Sequence, residues 1–530
     1  MSRLLHNVFE NAVLQFADKT AIVEENGHTI SYDELEKMAN KYANIFLKRK
    51  SSRQLSPYVG ILSNVHIHSI AAVFGALKSG LAYVPLDESS PGERLQKIID
   101  NTGLDVIALD PRFYEKHREL IEANKKILFV LLHPHPCTPA ADHIDFSTVL
   151  LTRIEERTPS NQVSDDLAYI LHSSGSTGVP KGIMLSHRNA RTFVDWMQKT
   201  FQLTSDDVVM SRAPFKFDLS VFDIFNTLGA GATLVCFDWF SKRDNKHAAY
   251  VDLMIREKAT TLYTTPSTLI SLMNRGNLGR EGLNLKKVMY AGEPFPTPFL
   301  RRFMNTIPGV PVANIYGPTE TNIITCQWIR KPPKNDEPIP LGKEVDDTEI
   351  IVVSENSEQL CDIGETGELW CRGGTVTLGY LGMEEQTKKH LVKSPFHKSP
   401  AYFWRTGDFG YRDSNGILHY CGRRDHMVKV KGFRIEIGEV ESALAKDNNL
   451  DKACVVAIPD SKYGNRLYCF YTSLNGASYN EEDVEKNLFQ HLPAYMMPYR
   501  YIQKREMPMS SAGKIDRILL QKEILNREGV

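Results

Sequence analysis

Alternating strands and helices predict an α/β fold for roughly the first 330 residues of this 530-residue chain. Two changes of texture mark the rest of the sequence. Between about 335 and 425, the strand-like pieces EIIVVS, GELWCRG and GILHYCG are separated by glycine-rich turns, as in a small barrel or antiparallel sheet. After Asp425 the pattern becomes α+β, with HMVKVKGFRIE, a helix through VESALAKD, the strand CVVAIP and a helix from about Glu481.

From the N-terminus, MSRLLHNVFENAVLQFADK has no uninterrupted apolar run, and Glu10 falls inside its pattern, so it reads as an amphipathic helix rather than a signal peptide. Ser31-Tyr-Asp-Glu34 is a capping-box pattern ahead of Leu35, Met38, Ala39, Tyr42 and Phe46 at helical spacing. YVGILS, an apolar run from Ile67 to Leu77, and LAYVPLD give strand, helix, strand. DVIALD and ILFVLL add short buried strands. A second round runs through DVVMSRAPF, TLVCFD, TTLYTTP and KKVMYAG.

Composition removes several function classes. The length calls for two or more domains. A net charge of −1 gives no global basic field for nucleic acid or anionic membrane. The eight cysteines form no CxxC pair, which argues against zinc and disulfide frameworks. His133 and His135 in HPHPC are bracketed by proline and read as surface loop rather than metal site. No window approaches the ~18 apolar residues of a membrane span, so the expectation is a soluble, cytoplasmic protein.

Residues 171–182, LHSSGSTGVPKG, have the composition of a phosphate-binding loop. A Walker A loop needs lysine directly after glycine and a hydroxyl after the lysine. Here Lys181 follows Pro180, which has no N–H to donate, and precedes Gly182. The GxGxxG dinucleotide fingerprint is absent too. What remains is a flexible, hydroxyl-rich loop after an apolar strand, able to grip polyphosphate through hydroxyls and amides.

That loop resembles the YxSGSTGxPKG signature of the adenylate-forming superfamily, with His172 in the tyrosine position. The superfamily contains acyl-CoA synthetases, luciferases and the adenylation domains of peptide synthetases. Further matching stretches occur in order: LKSGLAYVPLD, FDLSVFDIF, NIYGPTE, GELWCRG, WRTGDFGY, GRRDHMVKVKGFRIE and SSAGKIDR. The resemblance implies two stacked α/β subdomains plus a small β-barrel in residues 1–424. It implies a small mobile α+β lid in 425–530, with Asp425 as the hinge.

It also implies a two-step reaction. A carboxylate attacks the α-phosphate of ATP to give an acyl-adenylate and pyrophosphate; a thiol then attacks the activated carbonyl. The first step brings two anions together, so cations and positioning matter more than a base. By resemblance Lys514 is the catalytic lysine, Glu320 holds magnesium and Thr319 contacts phosphate. Ser173, Ser174, Gly175, Ser176, Thr177, Gly178 and Lys181 form the pyrophosphate grip. Tyr316 stacks on adenine opposite Ala291, Gly292 and Glu293, while Asp408 takes the ribose hydroxyls with Arg423. Asn314, Ile315, Gly317 and Tyr420 complete the ATP set. After the lid rotates, Lys431, Gly432 and Phe433 line the access route of the thiol.

FDLSV narrows the substrate. In amino-acid-activating members the aspartate at the Asp218 position pairs with the substrate's α-amino group, and a buried carboxylate needs such a cation. The bland alternative is an N-cap aspartate before SVFDIF. The other pocket positions implied are Leu219, Phe222, Tyr263, Met289, Ala291, Ile315, Ile323 and Ile324, with Lys514 at the carboxylate. No charge among the side-chain positions means a charged substrate side chain would stay unpaired. The set resembles that of stand-alone proline-activating enzymes, which load a separate carrier protein through its phosphopantetheine arm. D-alanine:carrier-protein ligases, acyl-CoA synthetases for a small acid, and a degenerate adenylate-binding protein are the alternatives. No LGGxS or HHxxxDG motif is found, so a free-standing, monomeric enzyme is expected. Met427 stands where relatives carry glutamine, a second departure besides His172.

Overall fold

The computed structural model describes the chain except for residues 1–2, 51–55, 134–142, 145–160, 174–179, 356–358, 424–426, 448, 461–462, 474–479, 509–514 and 529–530. Two large sheets dominate. The first has the order Gly379–Tyr380, Lys181–Ser186, Leu167–Ser173, Ala82–Leu86, Tyr58–Leu62, Val106–Leu109, Leu128–Leu131, His143–Ile144. It is parallel except where Lys181–Ser186 meets its two neighbours. The second runs Lys343–Glu344, Thr325–Ile329, Val312–Tyr316, Lys287–Tyr290, Thr261–Thr264, Val208–Met210, Thr233–Cys236, Thr20–Glu24, Thr29–Ser31. Its interior pairs are parallel and its two ends antiparallel.

The two rounds of alternation therefore interleave rather than succeed one another. Thr20–Glu24 leaves the first round to pair with Thr233–Cys236, Ile22 opposite Leu234. Gly379–Tyr380 returns to cap the first sheet beside Lys181–Ser186. One continuous apolar cluster, including Phe9, Tyr42, Phe74, Phe225, Tyr263 and Met289, fills the space between the sheets. Near-continuous apolar strands are what parallel sheets covered on both faces require.

The capping box forms as its pattern predicts: the Ser31 hydroxyl accepts from Glu34 N–H, and the Glu34 carboxylate accepts from Ser31 N–H at 2.9 Å. The helix it starts, Tyr32–Lys50, lies close on Ile67–Lys78. At the contact, a Cβ on Gly75 would stand 2.6 Å from Tyr42 Cβ and 3.0 Å from the Ala39 carbonyl oxygen.

The barrel-like section is an antiparallel sheet of Thr348–Val353, Gly367–Gly373, Tyr402–Arg412, Leu391–Lys393 and Leu418–Arg423. The C-terminal domain has a hairpin, Met427–Val430 with Phe433–Glu436, and a three-stranded sheet, Leu450–Asp460, Gly464–Ser473 and Arg500–Gln503. Apolar side chains cover both faces of that sheet, Val440, Leu444 and Met496 on one side, Leu520 and Ile524 on the other. No helix among the described residues is long and apolar enough to cross a membrane.

Gly75→Val forces atoms into a contact that has no slack. It is expected to lower the stability of the core by about 1–3 kcal/mol, read as a lower denaturant midpoint; an unchanged midpoint would show that the two helices can separate freely.

Candidate functional site

Four parallel strands of the second sheet end side by side, and the loops after them build a pocket, as the carboxyl edge of such sheets does. Arg212–Leu219 follows Val208–Met210, Thr265 follows Thr261–Thr264, Ala291 and Gly292 follow Lys287–Tyr290, and Gly317–Thr319 follows Val312–Tyr316. Asp408 and Arg423 reach in from the antiparallel sheet. The other wall is the C-terminal hairpin, with Met427, Lys429, Lys431, Gly432, Phe433 and Arg434. A Cβ on Gly317 would collide with the Asn322 carbonyl, so the tight return from Tyr316 to Ile323 demands glycine there.

Lys431 (φ 52°) and Gly432 (φ 84°) form the two-residue turn of that hairpin. Positive φ at both positions is the I′ geometry that matches the twist of the flanking strands. The tip enters the pocket: a Cβ on Gly432 would lie 2.8 Å from Thr265 Cγ2 and 3.3 Å from a Glu293 carboxylate oxygen.

Three carboxylates organise the charge. Asp408 is 2% exposed, and its register partner across the sheet is Arg423. It accepts from the Tyr316 hydroxyl at 2.7 Å and the Tyr420 hydroxyl at 3.4 Å, and pairs with Arg423 at 3.0 Å. Glu320 is 1% exposed, with Tyr380 donating to one oxygen at 2.7 Å and Arg434 bound to the other at 2.5 Å. Burial pushes the Glu320 carboxyl up, but Arg434 and Tyr380 outweigh it and bring it down to about 2. Asp218 stands at the start of the short helix Leu219–Val221 yet makes no side-chain capping bond. Burial pushes its carboxyl up to about 6, against the pull of Lys429, the Leu219 amide and the Thr319 hydroxyl. No salt bridge to Asp218 is found among the described residues, and it faces the pocket.

The residues assigned by resemblance divide by position. Asp218, Leu219, Tyr263, Ala291, Gly292, Gly317, Thr319, Ile323, Asp408 and Arg423 line the pocket with Lys431, Gly432 and Phe433. Phe222, Met289 and Ile315 are fully buried behind it, and Phe222 meets the Tyr263 ring edge-on at 5.4 Å. Ile324 turns away, packing with Tyr316, Leu341 and Leu418. Asn314 donates to the Pro340 carbonyl at 2.8 Å. Glu293 is hydrogen-bonded by Ser267, and burial pushes its carboxyl up to about 7. Ser173 ends its strand, and Lys181 starts the next, 3.5 Å from Glu436. Ser174, Gly175, Ser176, Thr177, Gly178, the hinge Asp425 and Lys514 lie outside the described residues. Away from the pocket, the Asp110 carboxylate accepts from the His133 ring at 3.0 Å, beside His66 and the Arg112 fork, while His135 lies outside the described residues.

Sequence reasoning missed Arg434, Tyr380, Lys429 and Lys216. Arg434 and Lys429 sit inside the quoted GRRDHMVKVKGFRIE, and Lys216 immediately precedes FDLSV, so their motifs were visible while their partners were not. Tyr380 had no signal beyond a glycine-flanked aromatic residue.

A family model described as AMP-binding enzyme matches residues 9–381, and one described as AMP-binding enzyme C-terminal domain matches 439–514. The chain belongs to the AMP-binding, adenylate-forming enzyme family. It is 32% identical over 522 residues to tyrocidine synthase 3 of Brevibacillus parabrevis; that match covers 97% of this chain and 7% of the relative's length. Zwittermicin A synthase ZmaJ of Bacillus cereus is 29% identical, with 98% of this chain and 95% of that protein covered. Among solved structures, the Vibrio cholerae adenylation domain AlmE, determined in complex with glycyl-adenosine-5′-phosphate, is 22% identical with a TM-score of 0.82 over 99% of this chain and 98% of that one. At that identity the likeness establishes the fold, with its large N-terminal and small C-terminal domains.

Tyr380→Phe removes a buried hydrogen bond to an ionised carboxylate, at a cost of about 1.5–3 kcal/mol at neutral pH. Because the folded-state value of Glu320 lies below its ordinary 4.5, its stabilisation is complete above that pH and drains away as pH falls toward about 2. The stability gap between wild type and variant, measured by urea unfolding, should therefore narrow across that window; an equal gap at pH 7 and pH 3 would refute the assignment.

Proposed function

We propose that the protein activates an amino acid, L-proline as the first choice, with ATP and passes it to the phosphopantetheine thiol of a separate carrier protein. The observation that carries this reading is Asp218: an enclosed carboxylate facing a pocket, without a capping role and without a salt bridge among the described residues. A substrate ammonium is the cation such a group calls for, and leaving either charge alone in an enclosed site costs several kcal/mol, roughly. Leu219, Tyr263, Ala291 and Ile323 add an apolar wall, with Phe222 and Met289 filling the volume behind it. That wall supports a compact, uncharged side chain such as the proline ring, whose secondary ammonium still offers donors to Asp218.

In this reading Asp408, Arg423, Tyr420, Gly292 and Tyr316 hold the nucleoside of Mg·ATP, Thr319 touches phosphate and Glu320 contributes an oxygen to the magnesium that arrives with it. Arg434 now holds that oxygen, so it must withdraw before Mg·ATP binds. A substrate carboxylate oxygen attacks the α-phosphorus and pyrophosphate leaves along the serine-glycine loop, with Lys514 between the two anions. The lid, residues 425–530, then turns about Asp425. The thiol, losing its proton, attacks the carbonyl; the thioester forms and AMP leaves. The hairpin tip at Lys431–Phe433, already in the pocket, suits that second step.

A panel of common amino acids in ATP–pyrophosphate exchange tests the reading, with proline expected to lead; no exchange with any of them would overturn it. Asp218→Ala should cut amino-acid-dependent exchange by about a hundredfold, whereas little loss would favour an acid without an amine. Only ionised Asp218 pairs with ammonium, so the amino-acid KM should rise as pH falls through about 6 and stay flat above it.

A further inference from the structure

Lys216 lies two residues before Asp218, outside the lining of the pocket. Its ammonium is 2.7 Å from an Asp87 carboxylate oxygen, and its side chain is only 14% exposed. Asp87 follows the strand Ala82–Leu86 and is held in place by the Ser89 amide and hydroxyl and the Ser90 hydroxyl. The same ammonium sits over two rings of the C-terminal domain, 4.6 Å from the centre of Tyr495 and 5.2 Å from that of Phe433. Those rings stack on each other at 4.0 Å and 13°. Phe217, between Lys216 and Asp218, packs its ring 5.0 Å from Phe433.

We propose that Lys216 is a positioning residue that clasps the C-terminal domain in its thiol-transfer arrangement and ties that arrangement to the wall of the amino-acid pocket. This inference rests on the two-step reading above. Asp87 belongs to the core and keeps its place whichever way the lid turns, while the aromatic faces belong to the lid. The closer cation–π contacts, to Tyr495 and Phe433, therefore exist only while the C-terminal domain is docked and favour that state, whereas the longer one, to Phe217 at 5.9 Å, stays with the core. A desolvated cation over two rings is worth more than an exposed one. Lys216, Phe217 and Asp218 share one short stretch of backbone, so a shift at the pocket carboxylate moves the clasp with it. The bland alternative, a static ion pair within the core, does not explain why the ammonium is capped by rings from the other domain.

The test separates the two steps. With the amino acid that supports exchange, and pantetheine as the thiol, Lys216→Met should lower thiol-dependent AMP release about tenfold and leave ATP–pyrophosphate exchange within about twofold. Tyr495→Leu, which alters the opposite side of the contact, should give the same split. The double variant should be no worse than either single one, because both remove one interaction. Lys216→Arg, which keeps the cation and its stacking, should recover most of the transfer. Equal losses in both assays, no loss in either, or multiplying losses in the double variant would overturn the proposal. Docking is also read without catalysis, by the distance between spin labels on cysteines at the exposed positions Leu14 and Phe489, with Cys137 and Cys421 replaced by serine. A narrow distribution in wild type should broaden in Lys216→Met and Tyr495→Leu. An unchanged distribution overturns the clasp even where the wild type exchanges nothing, a result that would sink the activation reading alone.

Discussion

An enclosed charge needs a partner, and that constraint shapes the whole region between the two domains. Asp408 answers it through its cross-strand partner Arg423, the Tyr420 hydroxyl of the same sheet and the Tyr316 hydroxyl from the second large sheet. Glu320 answers it across the domains, through Arg434. Asp87 does so through Lys216, whose ammonium also lies over Tyr495 and Phe433 of the C-terminal domain. Asp218 answers it by rising toward neutrality. Charged side chains of the core thus pair directly with the C-terminal domain, Glu320 with Arg434, Lys181 with Glu436 and Arg94 with Glu439.

Strand Phe433–Glu436 illustrates the economy of this arrangement. Its alternation sends Arg434 to Glu320, while Glu436 approaches Lys181 and Phe433 reaches Phe217 and Tyr495. One four-residue strand therefore contacts Glu320, the loop lysine Lys181 and the segment next to Asp218. Any movement of the hairpin would change the electrostatics of all three at once, the coupling that the proposed two-step use of the site calls for.

Much of this was legible in the chain. The capping box at Ser31–Glu34, the apolar strands and the shift of texture near 335 are local, and local patterns report on local structure. The motif residues were legible for the same reason, since each occupies a short recognisable stretch. What the stretches could not reveal was depth. Leu219 and Ile323 line the pocket, whereas Phe222, Met289 and Ile315 stand behind it and Ile324 faces another cluster. Periodicity ranks residues as apolar; it does not say which side of a packed layer they take.

The sequence by itself determined the fold class, the family and the residue types available for chemistry, because these depend on composition and on spacing within some ten residues. Only the tertiary structure decided the interleaving of the sheets, with Ile22 opposite Leu234, and the pairing of Glu320 with Arg434 and of Lys216 with Tyr495. Those partners lie more than a hundred residues apart. Their meeting is fixed by how layers stack around a shared core, and no local propensity encodes it.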